Sequence, residues 1–167
     1  MRVFLIGFMA SGKSSVGKKL AKKVELPFVD LDDYIEEKYS TTIRLLIYDK
    51  GMDRFREIEK ECLETLIDKH ENILISTGGG TPCYFNNMEL MKKSGVTIYL
   101  EVDIPTLVDR LMHSKKDRPL IWGKTREDLT VYAKDLLKKR SVDYENATHK
   151  VKGKSLKIDT LVNLLER

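Results

Sequence analysis

The sequence predicts an α/β fold in which a parallel β-sheet is flanked by helices. Short apolar, β-branched segments alternate along the 167 residues with segments whose apolar residues recur every three or four positions. The first predicted strand ends at a glycine-rich loop, and later strands end at an aspartate-rich and a second glycine-rich segment. Ligands collect beyond the carboxyl ends of parallel strands, so these three segments predict a binding site at one edge of the sheet.

The glycine-rich loop at residues 7–14 has the pattern Gly-x-x-x-x-Gly-Lys-Ser, which is typical of a phosphate-binding loop. Gly7 and Gly12 allow the backbone to turn tightly and to bring its N–H groups close to phosphate oxygens. Lys13 can reach the β- and γ-phosphates of a nucleotide, and the Ser14 hydroxyl can bind Mg²⁺. The N-terminus of the following helix adds a dipole that favours an anion.

A strand and a helix flank this loop in the order that such a site requires. The segment at residues 2–6 is largely apolar and β-branched, as in a buried parallel strand. Beyond the loop, Val16, Leu20 and Val24 recur at four-residue spacing and predict one face of a helix. A chance glycine turn is the alternative explanation of the motif, and the strand–loop–helix order argues against it.

Strand and helix patterns alternate along the rest of the chain. The further predicted strands are residues 27–30, 73–76, 96–102 and 148–151. The further predicted helices are a short one that opens at Asp32–Asp33, one at 42–49, a long one from Met52, one at 86–93, one with Pro105 in its first turn, one at 125–140 and one at 156–165. Residues 113–124 have no apolar period and predict a mobile loop.

Composition and charge limit the classes of protein that this chain can represent. Its 167 residues, 41% of them hydrophobic, predict a single domain with a substantial core. The net charge of +4 comes from scattered lysine pairs without interleaved aromatic residues, which argues against nucleic-acid binding. The sequence lacks the run of about 18 apolar residues that a membrane helix needs. Cys62 and Cys83 predict neither a disulfide framework nor a metal site, so we expect a cytoplasmic protein.

The acidic segment Asp30-Leu31-Asp32-Asp33 permits a structural and a chemical interpretation. Carboxylates at a helix N-terminus cap the helix and complement its dipole, and we expect Asp33 to be this cap. Chemically, one carboxylate can hold Mg²⁺ through water while another orients an attacking group. Asp30 and Asp32 would project to the same side if the strand continued through them. The two interpretations are compatible.

Two arginines are candidates for binding a second anionic ligand. Arg140 continues the apolar stripe of the predicted helix at 125–140, and an inward-facing guanidinium needs a carboxylate or phosphate partner. Arg56 lies in the first turns of the long helix, with Glu59 one turn further on. Snorkelling of Arg140 at the helix end and a surface ion pair of Arg56 are the alternatives. Nucleotide phosphates do not require both arginines, so we infer a second anionic substrate.

The remaining candidates lie in two segments without regular structure. Three consecutive glycines, Gly78, Gly79 and Gly80, follow a strand and leave backbone N–H groups unobstructed for a ligand, although a simple turn would explain them too. Arg118 lies in the aperiodic segment at 113–124, where it could move onto a transferring phosphoryl group. A solvated loop charge is the alternative for Arg118.

Taken together, these motifs resemble those of the shikimate kinase family over nearly the whole chain. The matching segments are Gly-Phe-Met-Ala-Ser-Gly-Lys-Ser-Ser-Val-Gly at 7–17, Asp-Leu-Asp at 30–32, Phe-Arg-x-x-Glu at 55–59, Gly-Gly-Gly at 78–80, Arg-Pro-Leu at 118–120 and Arg-x-x-x-Tyr at 140–144. The phosphate-binding loop alone would indicate only a P-loop kinase. The combination of motifs in this order and spacing is specific.

The resemblance implies transfer of the γ-phosphoryl group of ATP to the 3-hydroxyl of shikimate, a step towards chorismate and the aromatic amino acids. It implies a three-layer P-loop kinase fold in one domain over residues 1–167, with a central five-stranded parallel sheet. Two parts of that domain would move, a lid at about 113–124 and a substrate-binding region at about 32–60. It also implies a monomer that binds ATP, Mg²⁺ and shikimate, and no nucleic acid or membrane.

The resemblance also assigns roles to individual residues. Those implied in catalysis are Lys13, Asp32 and Arg118, with Asp32 as the base. The residues implied to bind the nucleotide are Ala10, Ser11, Gly12, Lys13, Ser14, Ser15, Arg118 and Arg110, the last of these along the adenine. Those implied to bind shikimate are Asp32, Arg56, Glu59, Gly78, Gly79, Gly80 and Arg140, with the two arginines on its carboxylate. Ser14 and Asp30 would hold Mg²⁺.

Three segments depart from the family pattern. Gly51-Met52-Asp53 replaces a Gly-Glu pair, Ile47 replaces an aromatic residue near the substrate ring, and the loop at 152–155 lacks a proline beside adenine. These departures concern the fit of the substrate and the adenine, and not the phosphate-binding loop. The alternatives are a kinase for gluconate or a nucleoside monophosphate, and a non-catalytic regulatory domain. A GTPase would need an Asn-Lys-x-Asp element, which the sequence lacks.

Overall fold

A five-stranded, fully parallel β-sheet forms the centre of the molecule, as predicted. We describe it from a computed structural model of the chain, which covers residues 1–116, 118 and 121–166. The strands are β1 (Arg2–Ile6), β2 (Phe28–Asp30), β3 (Ile73–Ser76), β4 (Val96–Glu101) and β5 (His149–Lys152). Their spatial order is β2-β3-β1-β4-β5, so the first strand is central and the strand bearing the aspartates is at an edge.

Helices connect the strands and cover the sheet. They are α1 (Lys13–Lys23), α2 (Leu31–Tyr39), α3 (Ile43–Lys50), α4 (Met52–Lys69), α5 (Asn87–Ser94), α6 (Ile104–Met112), α7 (Arg126–Tyr144) and α8 (Ile158–Leu165). A short 3₁₀ helix at Thr81–Cys83 follows the three glycines. The helix predicted at 125–140 extends to Tyr144, because that tyrosine is fully buried in the core and continues the apolar face.

The residues of the central strand alternate between two hydrophobic cores, which gives the three layers. Val3 and Leu5 pack in the core that contains α1 and α8, whereas Phe4 and Ile6 pack in the core that contains α4, α6 and α7. This alternation follows from the two-residue period of a strand whose two faces are both buried. Within the described residues, no helix is long and apolar enough to cross a membrane.

Strand register brings three predicted site segments to one edge of the sheet. Asp30 and Leu5 are both paired with Ser76, so β1, β2 and β3 end at nearly the same level. The phosphate-binding loop, the aspartate segment and the three glycines follow these strand ends directly. The expectation that they meet is therefore confirmed by the pairing of the strands.

Candidate active site

The backbone of the phosphate-binding loop requires its glycines. Gly7 and Gly12 have φ angles of 150° and 93°, values that side-chain-bearing residues rarely adopt. A Cβ atom on Gly7 would lie 2.8 Å from the carbonyl oxygen of Leu100. Ser11 is buried in the loop and Ser15 is exposed in the first turn of α1, whereas Ala10 has a φ of 63°. The loop that ends β1 therefore leads directly into the N-terminus of α1.

Lys13 is buried inside this loop and is held by neutral groups. Its Nζ donates hydrogen bonds to the carbonyl oxygens of Gly7 at 2.8 Å and Phe8 at 2.9 Å. Burial lowers the pKa of Lys13 to about 8, and the negative charges of Asp32 and Asp30 oppose that effect. In the described part of the chain, no carboxylate forms an ion pair with Lys13. Its charge is therefore available to an anion that binds the loop.

Asp30 joins the phosphate-binding loop to the start of α2. The Ser14 hydroxyl donates a hydrogen bond to Asp30 Oδ2. Asp30 Oδ1 accepts hydrogen bonds from the backbone N–H groups of Asp32 at 3.0 Å and Asp33 at 3.4 Å, so Asp30 is the cap of α2. The prediction that Asp33 caps this helix was wrong, because the chain leaves the sheet at Asp30 and not two residues later.

Asp32 occupies the first turn of α2 and faces the centre of the site. The strand does not continue through it, so the condition under which Asp30 and Asp32 would project to the same side is not met. Burial raises the pKa of Asp32 to about 6, and the charges of Asp30 and Glu59 add to that increase. Lys116 opposes it, since its Nζ lies 3.7 Å from Asp32 Oδ2. Asp32 is thus a carboxylate whose proton affinity suits a base near neutral pH.

Ser14 and Asp30 fit the requirements of a magnesium site. They place a hydroxyl and a carboxylate, both oxygen donors, within hydrogen-bond distance of each other beside Lys13. Mg²⁺ prefers oxygen ligands, and it takes one or two from a protein and the rest from phosphates and water. Residues 1–116, 118 and 121–166 contain no cluster of three or more His, Cys, Asp or Glu side chains that could hold a metal alone. A nucleotide phosphate would therefore have to complete this site.

Arg56 is fixed by a buried acidic partner. Its Nη1 donates to Glu59 Oε1 at 2.8 Å, and the exposed fractions of the two side chains are 11% and 1%. The other carboxylate oxygen of Glu59 accepts a hydrogen bond from the Thr81 hydroxyl at 2.8 Å. The pair is thus buried, and the alternative of a surface ion pair does not apply. Glu59 fixes Arg56 relative to the segment that follows the three glycines.

Arg140 projects from α7 towards the same segment. A Cβ atom on Gly79 would lie 3.1 Å from Arg140 Nη1, and the guanidinium lies 6.0 Å from the centre of the Phe8 ring. No carboxylate among the described residues forms an ion pair with Arg140. Tyr144, one turn further along α7, donates a hydrogen bond to the carbonyl oxygen of Gly79. The structure therefore directs Arg140 into the site, and not towards solvent at the helix end.

Each of the three glycines provides space for a different charged side chain. A Cβ on Gly78 would lie 2.9 Å from Glu59 Oε2, and one on Gly80 would lie 2.6 Å from Arg56 Nη2. Gly79 lies beside Arg140 in the same way. A side chain at any of the three positions would therefore displace a charged group of the site. The sequence suggested that the glycines expose backbone N–H groups. The structure adds that their missing side chains let α4 and α7 approach the end of β3.

Two further arginines lie near the phosphate-binding loop and Asp32. Arg110 of α6 donates from Nη1 to the carbonyl oxygen of Ala10 at 3.1 Å, which places it against the phosphate-binding loop. The Arg118 Nε is buried and has no hydrogen-bond partner within the described residues. Burial lowers the pKa of Arg118, and the charge of Asp32 partly offsets that effect. Pro119 and Leu120 of the Arg-Pro-Leu motif lie outside the described residues.

The segments that depart from the family pattern have defined positions. Ile47 packs against the core that contains α4, and Gly51 precedes α4 with a φ of 84°. A Cβ on Gly153 would lie 2.7 Å from Val102 and 3.6 Å from the carbonyl oxygen of Ser11. The backbone at Gly153 therefore packs closely against the phosphate-binding loop, even without the proline.

Comparison with known proteins identifies the family of this chain. The family model for shikimate kinase matches residues 9–165. The chain belongs to the shikimate kinase family. The shikimate kinase of Azobacteroides pseudotrichonymphae is 46% identical over 147 residues, which cover 88% of this kinase and 86% of that protein.

Solved structures agree with this membership. The crystal structure of shikimate kinase from Bacteroides thetaiotaomicron has a TM-score of 0.95 at 37% identity, with 100% of this chain and 99% of that chain covered. The structure of the Acinetobacter baumannii shikimate kinase in complex with shikimate has a TM-score of 0.85 at 29% identity, with 99% and 90% covered. The resemblance inferred from the motifs is therefore confirmed. It favours a shikimate kinase over the gluconate and nucleoside monophosphate kinases that were considered as alternatives.

Several residues of the kinase contact the predicted site although the sequence analysis assigned them no role in it. Lys116 lies beside Asp32, Thr81 holds Glu59, Tyr84 stacks on Arg56 and Tyr144 binds Gly79. Only Tyr144 had a usable signal, because it follows Arg140 by four residues and continues the apolar stripe of α7. The other three lie in segments without periodicity, so their contacts depend on the tertiary fold.

Proposed function

We propose that this kinase transfers the γ-phosphoryl group of ATP to the 3-hydroxyl of shikimate through the residues described above. The observation that carries the proposal is the convergence of a carboxylate with a raised pKa and two arginines on one glycine segment, together with a buried lysine whose charge acts on that carboxylate. A phosphate-binding loop accounts for the lysine. The other three groups match an alcohol that also carries a carboxylate, as shikimate does.

Charge neutralisation at the phosphoryl group is assigned to Lys13 and Arg118. The transferring group passes through a loose transition state in which negative charge spreads over its oxygens. Lys13 Nζ already lies within the loop against two carbonyl oxygens, so its charge is in place and only its N–H groups would turn to a phosphate oxygen. Arg118 has a buried Nε without a hydrogen-bond partner in the described part of the chain, which suits a donor that acts on a ligand.

Asp32 is assigned as the base that accepts the proton of the attacking hydroxyl. Its pKa of about 6 leaves the carboxylate ionised at neutral pH and still basic enough to accept a proton as the O–P bond forms. Asp30 is committed to Ser14 and to the N-terminus of α2, so it is not free for this role. Asp30 and Ser14 would instead hold Mg²⁺, which would offset the negative charge of the nucleotide phosphates when bound.

Recognition of the substrate carboxylate is assigned to Arg56 and Arg140. Each guanidinium offers a planar fork that can meet a carboxylate with two parallel hydrogen bonds. Glu59 uses only Nη1 of Arg56, and within the described residues Arg140 has no carboxylate partner, so both retain donors for a ligand. The three glycines let these forks approach the end of β3 closely.

Residues around the reacting groups are also given roles. Residues 113–124 act as a lid, since Lys116 Nζ lies 3.7 Å from Asp32 Oδ2 and the charge of Arg118 acts on Lys13. Arg110 lies along the adenine, because it is fixed against the phosphate-binding loop. We further propose a cytoplasmic monomer that binds neither nucleic acid nor membranes.

Substitution of Arg140 tests the acid-binding role. Arg140→Lys keeps the charge and loses the fork, so we expect the KM for shikimate to rise by about 5- to 150-fold, which corresponds to roughly 1–3 kcal/mol. The KM for ATP should change little. Steady-state assays of ADP release with each substrate varied in turn measure both constants.

The control for this substitution is Arg126→Lys in the first turn of the same helix, where the arginine pairs with the exposed Asp109 at 3.1 Å. This variant should retain both KM values. A shikimate analogue with a neutral carboxamide should bind poorly to the unmodified protein. If that protein uses the carboxamide and shikimate equally well, the two arginines do not recognise the acid.

A further inference from the structure

The ring of Tyr84 lies over the guanidinium of Arg56, and the mechanism above gives this contact no role. The ring centre is 4.2 Å from Arg56 Cζ, well within the range of a cation–π interaction. Tyr84 directly follows the 3₁₀ helix at Thr81–Cys83, whereas Arg56 is in the first turns of α4. The contact therefore joins the end of the glycine segment to the arginine proposed to bind the substrate acid.

Hydrogen bonds alone do not fix the orientation of Arg56. Its Nη1 is bonded to Glu59, and its Nε is buried without a partner among the residues that the structure describes. One bond at one edge of a planar group leaves the tilt of the plane free. That tilt must be limited by packing, which the Gly80 backbone and the Tyr84 ring provide at close range and the Phe55 ring provides at 5.3 Å.

The segment that carries Tyr84 is rigid enough for this purpose. The backbone N–H of Cys83 donates to the Gly80 carbonyl at 3.0 Å, and the N–H of Asn87 donates to the Tyr84 carbonyl at 3.3 Å. The Asn87 side chain is 1% exposed and donates to the carbonyl of Thr81 at 3.0 Å. Tyr84 is thus fixed on both sides along the chain.

The residue after Tyr84 has an unusual backbone. Phe85 has a φ of 52°, in the left-handed region that bulky residues rarely adopt, and its side chain is 55% exposed. Such conformations persist where the surrounding structure enforces them, and they are concentrated at binding sites. Burial of Phe85 does not explain the turn. This turn lies directly after the residue whose ring packs on Arg56.

We propose that Tyr84 is a positioning residue for substrate recognition, which holds the Arg56 guanidinium in the orientation that the substrate carboxylate requires. The ring limits the tilt of the guanidinium plane and shields one side of it from water. The inference rests on the proposed role of Arg56 in binding the acid. It adds that the arginine is pre-organised by an aromatic residue outside the motifs of the site.

The test measures the KM for shikimate, the KM for ATP and the kcat of Tyr84 variants. Tyr84→Ala should raise the KM for shikimate by about threefold to thirtyfold, the range of a partly buried cation–π contact. The kcat and the KM for ATP should stay within about twofold, because the arginine binds a part of the substrate that does not react. Tyr84→Phe keeps the ring and should restore the KM for shikimate. Tyr84→Leu keeps apolar bulk without a ring and should behave as Tyr84→Ala does.

The matched control is Phe85→Asn, which removes the neighbouring aromatic ring and places at φ 52° a residue that tolerates this conformation. It should leave all three constants unchanged. Arg56→Lys should raise the KM for shikimate, and adding Tyr84→Ala to it should raise the KM further by less than in the unmodified protein.

The outcomes separate the two proposals. If the KM for shikimate is unchanged in Arg56→Lys, the acid-binding role of Arg56 is overturned, and the role of Tyr84 with it. A raised KM in Arg56→Lys with a normal KM in both Tyr84→Ala and Tyr84→Leu overturns the role of Tyr84 alone. Equal losses in Tyr84→Phe and Tyr84→Ala would also contradict it, because the ring would then not be what matters.

Discussion

Lys13→Met is expected to lower kcat by on the order of 10²-fold or more, because it removes a preorganised charge from the transition state of phosphoryl transfer. The lysine is held 2.8 Å and 2.9 Å from two carbonyl oxygens of the loop, in position to turn towards a phosphate. Methionine has a similar length and no charge. Since burial already lowers the pKa of Lys13 to about 8, removing this charge should not cost the fold its stability.

Steady-state ADP release and thermal unfolding followed by circular dichroism measure the two parts of this expectation. Lys22→Met, an exposed lysine of the same helix, is the control and should retain normal turnover. Near-normal turnover in Lys13→Met would contradict the catalytic role of Lys13 and of the phosphate-binding loop.

Asp32→Asn should abolish most of the turnover and stabilise the protein. As the proposed base, Asp32 should account for about 10²- to 10⁴-fold in kcat. In the unmodified protein, kcat/KM should fall about tenfold per pH unit below its pKa of about 6, as the carboxylate becomes protonated. Asp33→Asn, one residue away and exposed, should keep the rate and the pH profile.

The effect on stability has a definite sign. The pKa of Asp32 is raised from 3.8 to about 6 in the folded protein, so between these pH values the folded state binds more protons than the unfolded state. The free energy of unfolding of the unmodified protein therefore falls as the pH rises through this range. Asparagine does not ionise, so Asp32→Asn should be more stable by about 1–3 kcal/mol above pH 6 and about equal near pH 4.

Urea unfolding at pH 4 and pH 7, without nucleotide and with a metal chelator, measures this difference. A variant that is less stable at pH 7 would mean that the carboxylate stabilises the fold and that burial does not raise its pKa. A loss of activity together with a gain in stability would mark Asp32 as a residue retained for chemistry.

The sequence predicted those features of the fold that depend on local patterns. The run before Gly7 and the spacing after Lys13 were sufficient to place β1 and α1, because apolar periodicity reports directly on burial. Arg140 was found for the same reason, since it lies in phase with the buried face of α7. The apolar stripe of α7 extends to Tyr144, whereas the helix predicted from the sequence ended at residue 140.

Features that depend on where one segment meets another could not be predicted locally. Three aspartates in four residues could each have capped α2, and the choice of Asp30 depends on its pairing with Ser76 in the neighbouring strand. The sequence showed that the three glycines leave backbone N–H groups unobstructed. It could not show which side chains of α4 and α7 lie beside them, because these come from distant parts of the chain. Lys116 reaches Asp32 from a segment that has no pattern at all.

The most direct test of the account is the identity of the phosphorylated product. The purified protein with ATP and Mg²⁺ should convert shikimate to one monophosphate ester at the 3-hydroxyl, with one ADP released per ester, as followed by ³¹P NMR and a coupled ADP assay. Quinate, gluconate and nucleoside monophosphates, offered in parallel, should react far more slowly. A phosphorylated gluconate or nucleotide as the main product, or ADP release without any ester, would contradict the account.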